Sequence, residues 1–268
     1  MPIIEVDNLV KRYHHAKEPA VKGVSFTVEK GELFAFLGPN GAGKTTTISI
    51  LTTTLSKTSG TVLIDGFDIE KNDREVRERI GIISQRPSLD KSLTAEENIR
   101  LHACLYGMYG YRPAFRLMPA EYRDRVRQLA EVVGVGGELF KKAGRLSGGM
   151  ARKFEIVRSL MHTPQVLFLD EPTQGLDAMA RRDLWEYLNA VRSEWDTTVF
   201  LTTHYIDEAE GADTVCLIHG GTIALCCPPA QMKHRLGANT LEDAYVGFLR
   251  QGGVMPDDAG VGEKGRAA

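Results

Sequence analysis

Leu33-Phe34-Ala35-Phe36-Leu37-Gly38-Pro39-Asn40-Gly41-Ala42-Gly43-Lys44-Thr45-Thr46 is the stretch that decides the fold. Five consecutive apolar residues read as a strand buried on both faces. Gly38 to Thr45 then fits G-x-x-x-x-G-K-[ST], a glycine-rich loop that runs straight into a helix. Glycines let successive backbone N–H groups turn inward with no Cβ in the way, and a helix opening at Lys44 aims the positive end of its dipole at the same point. Such a loop cradles phosphate. Lys44 is expected to reach the β- and γ-phosphates of a nucleotide and the Thr45 hydroxyl to ligate Mg²⁺, with Gly38, Pro39, Asn40, Gly41, Ala42, Gly43 and Thr46 completing the cradle.

Outward from this stretch, residues 3–12 and 22–37 read as strands, and the helical pattern runs from Lys44 to about Leu55. Thr61 to Ile64, followed by Asp65-Gly66, reads as a strand entering a hairpin turn, and Ile80 to Ser84 as another short strand. Between Gln85 and about His162 the apolar residues recur at three- and four-residue steps, as in Ile99/Ala103/Tyr106 and Tyr122/Val126/Leu129/Ala130/Val133, which predicts a helical insertion. Strand character returns at Val166–Leu169, Val199–Thr202 and Val215–Ile218. A helix over 180–191 carries Leu184, Leu188 and Val191 on one face. Strands alternating with helices predict a parallel sheet wrapped by helices.

The 268 residues suit one α/β domain. Lys plus Arg at 33 against Asp plus Glu at 35 leaves a net charge of −2, so no single-sign field is available to grip nucleic acid or an anionic bilayer. Apolar runs are far shorter than the ~20 residues needed to span a membrane. The opening MPIIEVDNLVKRYHH carries charges where a signal peptide needs an apolar core, so a cytosolic location is expected. Cys104, Cys216, Cys226 and Cys227 form neither a CxxC pair nor a metal-binding spacing and read as reduced structural thiols. Residues 251–268, QGGVMPDDAGVGEKGRAA, lack apolar periodicity and are expected to fray.

Val166-Leu167-Phe168-Leu169-Asp170-Glu171 is an apolar strand ending in two carboxylates, and ligands of open α/β sheets bind at the carboxyl ends of strands. Asp170 is placed to hold Mg²⁺, and Glu171 to act as general base on a water lined up on the γ-phosphate. A kinase would need a pocket for an acceptor group, and the sequence advertises none, so water is the expected acceptor.

At Leu146-Ser147-Gly148-Gly149-Met150 the sequence resembles the signature motif of ATP-binding subunits of ABC transporters, a resemblance that covers about Ile3 to Leu236. It implies a P-loop NTPase of RecA-like α/β class: a parallel-sheet core, an N-terminal antiparallel β subdomain and an inserted α-helical subdomain at about 86–162. The nucleotide-binding domain would occupy 1–235, and a short C-terminal helix with a frayed tail 236–268. Ser147 and the glycines open a helix, expected to begin at Met150, whose N-terminus is a second anion site. In the family this motif contacts ATP held by a partner chain, so two subunits sandwich two nucleotides head to tail.

Further roles follow from the same resemblance. Tyr13 matches the aromatic that stacks on adenine, with a core tyrosine as the alternative. Gln85 matches the glutamine that senses Mg²⁺ and water, which makes Thr45, Gln85 and Asp170 the Mg²⁺ set. His204 matches the switch histidine at the γ-phosphate, so Glu171, His204 and Gln85 form the catalytic group. Gly175-Leu176-Asp177 resembles the loop that crosses the dimer seam, although Gln174 is not the residue expected before it.

Thr202 to Glu210, the MARKFEIVRSL helix and Leu241-Glu242-Asp243-Ala244 are similar to exporters of the drug-resistance and nodulation-factor type. That likeness implies a separate transmembrane permease docked on the helical insertion and a location on the cytoplasmic face of the membrane. It also implies a dimer with a second copy or a paralogue, ATP and Mg²⁺ as cofactors, and no nucleic-acid partner. The alternative is a soluble non-transport ABC ATPase, regulatory or mechanical. Ribosome-acting members resemble two cassettes in tandem, and repair members place a coiled coil between cradle and signature; neither feature is present.

Overall fold

The computed structural model describes residues 1–85, 88–250 and 252. Its layout follows from a change of periodicity. Strands β1 (Pro2–Lys11) and β2 (Val21–Glu29) alternate buried and exposed positions, as a sheet with one covered face requires, whereas β3 (Leu33–Leu37) is buried throughout. The single strand expected over 22–37 is therefore two strands in two sheets. Gly31, at φ +74°, turns the chain between them, and a Cβ there would meet the Asp196 carboxylate at 2.9 Å.

The N-terminal sheet is antiparallel, in the order β2-β1-β4-β5, with β4 at Ser59–Ile64 and β5 at Phe67–Asp68. Asp65 and Gly66 both take positive φ between β4 and β5, as a primed hairpin turn demands. The central sheet has the order β10-β9-β3-β8-β7-β6, where β6 is Ile80–Ile83, β7 Val166–Asp170, β8 Thr198–Thr203, β9 Thr214–His219 and β10 Thr222–Cys227. All its pairings are parallel except the β9–β10 hairpin. The edge strand β10 has no counterpart in the sequence reading, since its Thr-Ile-Ala-Leu-Cys-Cys pattern is too short and mixed to stand out.

Period-two alternation in the central strands feeds two cores. Phe34, Phe36, Phe168 and Phe200 join Phe26 in a ring cluster beneath the antiparallel sheet, with Phe34 and Phe200 stacked at 5.2 Å. Ala35, Leu37, Leu167, Leu169 and Leu201 face the helices. Each fully buried Phe or Leu contributes roughly 1.5–3 kcal/mol, so the sheet is held from both sides.

The helices are α1 (Lys44–Leu51), α2 (Asp73–Arg79), α3 (Ala95–Leu105), α4 (Ala120–Val132), α5 (Gly148–Ser159), α6 (Ala178–Trp195), α7 (Ile206–Glu210), α8 (Pro229–Arg235) and α9 (Leu241–Arg250). Helix α1 stops short of Leu55 because Thr53 adopts φ +58°. Within the insertion, Thr94 and Glu97 form a capping box on α3. Ile99, Ala103, Tyr122, Val126, Leu129 and Ala130 are all buried against Phe154 and Val157 of α5, while Tyr106, past the end of α3, is half-exposed. Helix α9 returns to the same core through Leu241, Tyr245 and Phe248. Apart from Gly252, the tail expected to fray lies outside the described residues. Among the described residues no helix is long and apolar enough to cross a membrane.

Candidate nucleotide-binding and hydrolytic site

Strand β3 lies between β8 and β9, so the loop after Leu37 opens at the carboxyl edge of the central sheet. Two glycines there are fixed by close approach. A Cβ at Gly38 would strike the Ile218 carbonyl of β9, and one at Gly43, which takes φ +107° as the N-cap of α1, would meet the Ala20 carbonyl at 2.8 Å. Lys44 folds back over the loop: its Nζ donates to the Gly38 carbonyl at 2.7 Å and the Pro39 carbonyl at 3.1 Å and lies 3.6 Å from Glu171 Oε1. Only 4% of Lys44 is exposed, and burial pulls its pKa below the ordinary lysine range against the opposing pull of Glu171 and Asp170. A cation held by two carbonyls and one carboxylate can exchange those partners for phosphate oxygens.

An open cleft of about 250 Å³ sits over this loop. Ala20, Asn40, Gly41, Gly43, Lys44, Thr45 and Thr46 line one wall, and Gln85, Glu171 and Gln174 the other. Gly38, Pro39 and Ala42 of the same loop do not line the cleft. Tyr13 follows β1 and is 45% exposed; its hydroxyl is 3.2 Å from Thr46 Oγ1. The ring thus lies on the surface beside the cradle and not in a core.

The carboxylates sit at the tip of β7. Asp170 is buried; its Oδ1 accepts from Thr202 Oγ1 at 2.5 Å and from Thr45 Oγ1 at 3.4 Å. Burial pushes its carboxyl above the usual range, and those hydroxyl bonds and the Lys44 charge pull the other way. Such a carboxylate, with a hydroxyl oxygen beside it, offers hard oxygen donors of the kind Mg²⁺ takes when phosphate and water complete its shell. Glu171 is held at φ +46°, uncommon for a residue with a Cβ, by its N–H donating to the Thr202 carbonyl at 3.0 Å. That turn carries its carboxylate across the cleft: Gln85 Nε2 donates to Oε2 at 3.2 Å, and His204 Nδ1 lies 3.2 Å from Oε1. That nitrogen is buried and, among the described residues, has no partner with hydrogen-bond geometry beyond this close approach to Glu171; the ring packs on Tyr205 at 4.1 Å.

The signature residues are elsewhere. Ser147 caps α5, accepting from the Met150 N–H at 3.2 Å, and the helix opens at Gly148, two residues before the expected Met150. Ser147 and Gly148 are exposed, and none of Leu146, Ser147, Gly148, Gly149 and Met150 lines the cleft. Gly149 lies close against Ala180, where a Cβ would come within 3.1 Å. Gly175, at φ +78°, Leu176 and Asp177 lead into α6, which Asp177 caps by accepting from the Ala180 N–H at 2.8 Å. Signature and loop therefore adjoin each other.

Arg152 is a residue the sequence reading missed. It is buried on α5, bonds Glu155 at 3.2 Å, and donates to the Pro172 carbonyl at 3.1 Å and the Ser84 carbonyl at 2.5 Å. Those carbonyls adjoin Glu171 and Gln85, so one guanidinium fixes both site loops from behind. Arg152, Glu155, Ile156 and Ser159 recur at helical spacing, and a charged pair on an otherwise buried stripe is the signal that could have found it. Arg152→Ala strips the fully buried Glu155 of its counter-charge and is expected to cost about 3–5 kcal/mol. Urea unfolding measures this; a loss below about 1 kcal/mol contradicts the arrangement.

A family model described as ABC transporter matches residues 21–174. The chain belongs to the ABC transporter family. This ABC cassette is 37% identical over 243 residues to the Nod factor export ATP-binding protein I of Ralstonia nicotianae, covering 90% of this chain and 72% of that one. It is 38% identical over 239 residues to the daunorubicin/doxorubicin resistance ATP-binding protein DrrA of Streptomyces peucetius, covering 89% and 69%. To the probable multidrug ABC transporter ATP-binding protein YbhF of Escherichia coli it is 32% identical over 252 residues, and there the chain spans 42% of its relative's length. A solved ATP-binding subunit of an ABC transporter superposes with TM-score 0.78 at 29% identity, covering 91% of this chain and 98% of that one. A dimeric cassette bound to ADP and phosphate in a post-hydrolysis state superposes with TM-score 0.73 at 27% identity, covering 84% and 98%. The chain is thus an ATP-binding cassette of the P-loop α/β class, in a family that hydrolyses ATP.

Proposed function

We propose that this cassette is the ATP-hydrolysing subunit of an exporter whose permease is a separate chain, and that it works as a head-to-tail dimer with a second copy or a paralogue. The observation that carries this reading is the split of the anion-binding apparatus. Lys44, Thr45, Asp170, Glu171, Gln85 and His204 converge on one cleft, while the capped helix end at Ser147 is exposed outside it. A second such cassette, turned end for end, gives that helix terminus a γ-phosphate to meet.

In this reading the Tyr13 ring stacks on adenine, the Gly38–Thr46 loop and Lys44 hold the phosphates, and Thr45, Asp170 and Gln85 hold Mg²⁺. The metal supplies positive charge to the transferring phosphoryl group. Glu171 takes the proton of the attacking water, and His204, beside the same carboxylate, donates to the γ-phosphate. Gly175, Leu176 and Asp177 line the seam. ATP binding closes the dimer, and loss of the γ-phosphate releases it, which moves the permease.

The relatives named for drug resistance and Nod factor export support the exporter assignment, and in this reading the permease docks on the helical insertion. The cassette then sits on the cytoplasmic face of the membrane through its permease. Co-expression with a candidate multi-span permease is expected to yield a stable detergent-soluble complex whose ATPase rate differs from that of the cassette alone. A cassette that purifies without a membrane partner and hydrolyses ATP at an unchanged rate would point to the soluble regulatory reading instead.

A further inference from the structure

Gln174 is the residue that departs from expectation in the loop after Glu171, and it is placed to do specific work. Its Oε1 accepts from Gln85 Nε2 at 2.8 Å, the same amide nitrogen that donates to Glu171 Oε2 at 3.2 Å. The carboxylate and the Gln174 carbonyl oxygen are both acceptors, so the two N–H groups of Gln85 are both spent and the orientation of its amide is set. Among the described residues the Gln85 carbonyl oxygen has no hydrogen-bond partner, so it is the part of that amide left to accept from water or approach a cation. Both glutamine side chains are exposed and long, so without this bond Gln85 has many rotamers to choose from.

We infer that Gln174 is a positioning residue for ATP hydrolysis: it holds Gln85 against Glu171 and thereby ties the loop entering the helical insertion to the loop that leads through Gly175-Leu176-Asp177 into α6. This rests on the reading of Glu171 and Gln85 as the hydrolytic pair. The physical consequence is a side-chain link inside one chain between the loop at the entrance to the helical insertion, the side the proposed function gives to the permease, and the loop it places at the dimer seam. Movement of either loop changes where the Gln85 amide sits relative to the general base. Arg152 anchors the backbone of both loops, and the glutamine pair sets the side chain between them.

The test is a double-mutant cycle on steady-state ATP turnover by the full chain, with Gln174→Ala, Gln174→Asn, Gln85→Ala and the Gln85→Ala/Gln174→Ala pair. Gln174→Ala is expected to lower kcat about fivefold with KM for ATP within about twofold, the scale of one lost hydrogen bond. Gln174→Asn keeps the amide but is one methylene short and is expected to lose a similar factor. On the Gln85→Ala background, Gln174→Ala is expected to have no further effect. ATP-induced thermal stabilisation of each variant shows that it folds and binds. An unchanged kcat in Gln174→Ala, or the same fold-loss with and without Gln85, overturns the inference while leaving the ATPase reading intact. No turnover by the wild-type chain under any condition, permease included, overturns both.

Discussion

Glu171→Gln is expected to reduce ATP turnover by about 10²–10⁴-fold while leaving ATP binding in place. The carboxylate is surrounded by groups that fix its direction: Gln85 at 3.2 Å, His204 Nδ1 at 3.2 Å and Lys44 Nζ at 3.6 Å, with the backbone held at positive φ by Thr202. Glutamine has the same shape and can still accept a hydrogen bond through its remaining oxygen, so the cleft is preserved. It cannot take a proton from water. ATP therefore stays intact between two cassettes, and a dimer stable to gel filtration accumulates with ATP but not with ADP. A Glu171→Gln protein that turns over at the wild-type rate removes Glu171 from its role as base.

Lys44→Ala carries the other large effect, and on a different step. The lysine is the buried cation of the cradle, opposite both Asp170 and Glu171. Its removal leaves two carboxylates facing an incoming triphosphate without the one buried side-chain cation that lies between them. Like-charge contacts in a partly desolvated cleft are costly, so ATP affinity is expected to fall at least 100-fold. Linkage converts this into a simple readout: ligand at 100 times its Kd stabilises the folded state by about 2.7 kcal/mol, so at the ATP concentration that gives the wild type this stabilisation Lys44→Ala should keep no more than about 0.4 kcal/mol of it, and most of the thermal shift should be lost. Retention of the full shift would mean that backbone amides alone bind the nucleotide. The two variants thus separate binding from chemistry.

Most of the central framework was legible because its signals are local and strong. The buried run at 33–37, the glycine loop and the acids after Leu169 each combine a periodicity with a residue type that has one physical use. The break between β2 and β3 was not legible as a change of sheet, because Lys30-Gly31-Glu32 reads as a simple turn and sheet membership depends on contacts such as the hydrogen bond from the Gly31 N–H to Thr198 Oγ1. Strand β10 was missed for a related reason: it is an edge strand whose pairing with β9 is set by the hairpin and not by its own pattern. In the cleft, the nearness of Lys44, Thr45, Gln85 and Glu171 could be expected from the motifs, but not the positive φ of Glu171 or the bond from Thr202 to Asp170. Arg152 and Gln174 act through residues distant in sequence or through side-chain reach, which no motif spacing records. The separation of Ser147 from its own cleft follows from the fold alone, since it depends on where α5 packs against the insertion and α6.

In the proposed dimer the nucleotide is bound from both sides, by the Lys44 cradle of one cassette and the Ser147 helix end of another. A structure of the Glu171→Gln protein with ATP and Mg²⁺ measures it directly. A two-fold dimer is expected, in which the Ser147 hydroxyl and the Gly149 N–H of one copy lie within hydrogen-bonding distance of the γ-phosphate held by Lys44 of the other. A structure with ATP seated on Lys44 and Ser147 still facing solvent, or packed on a surface that carries no nucleotide, would contradict it.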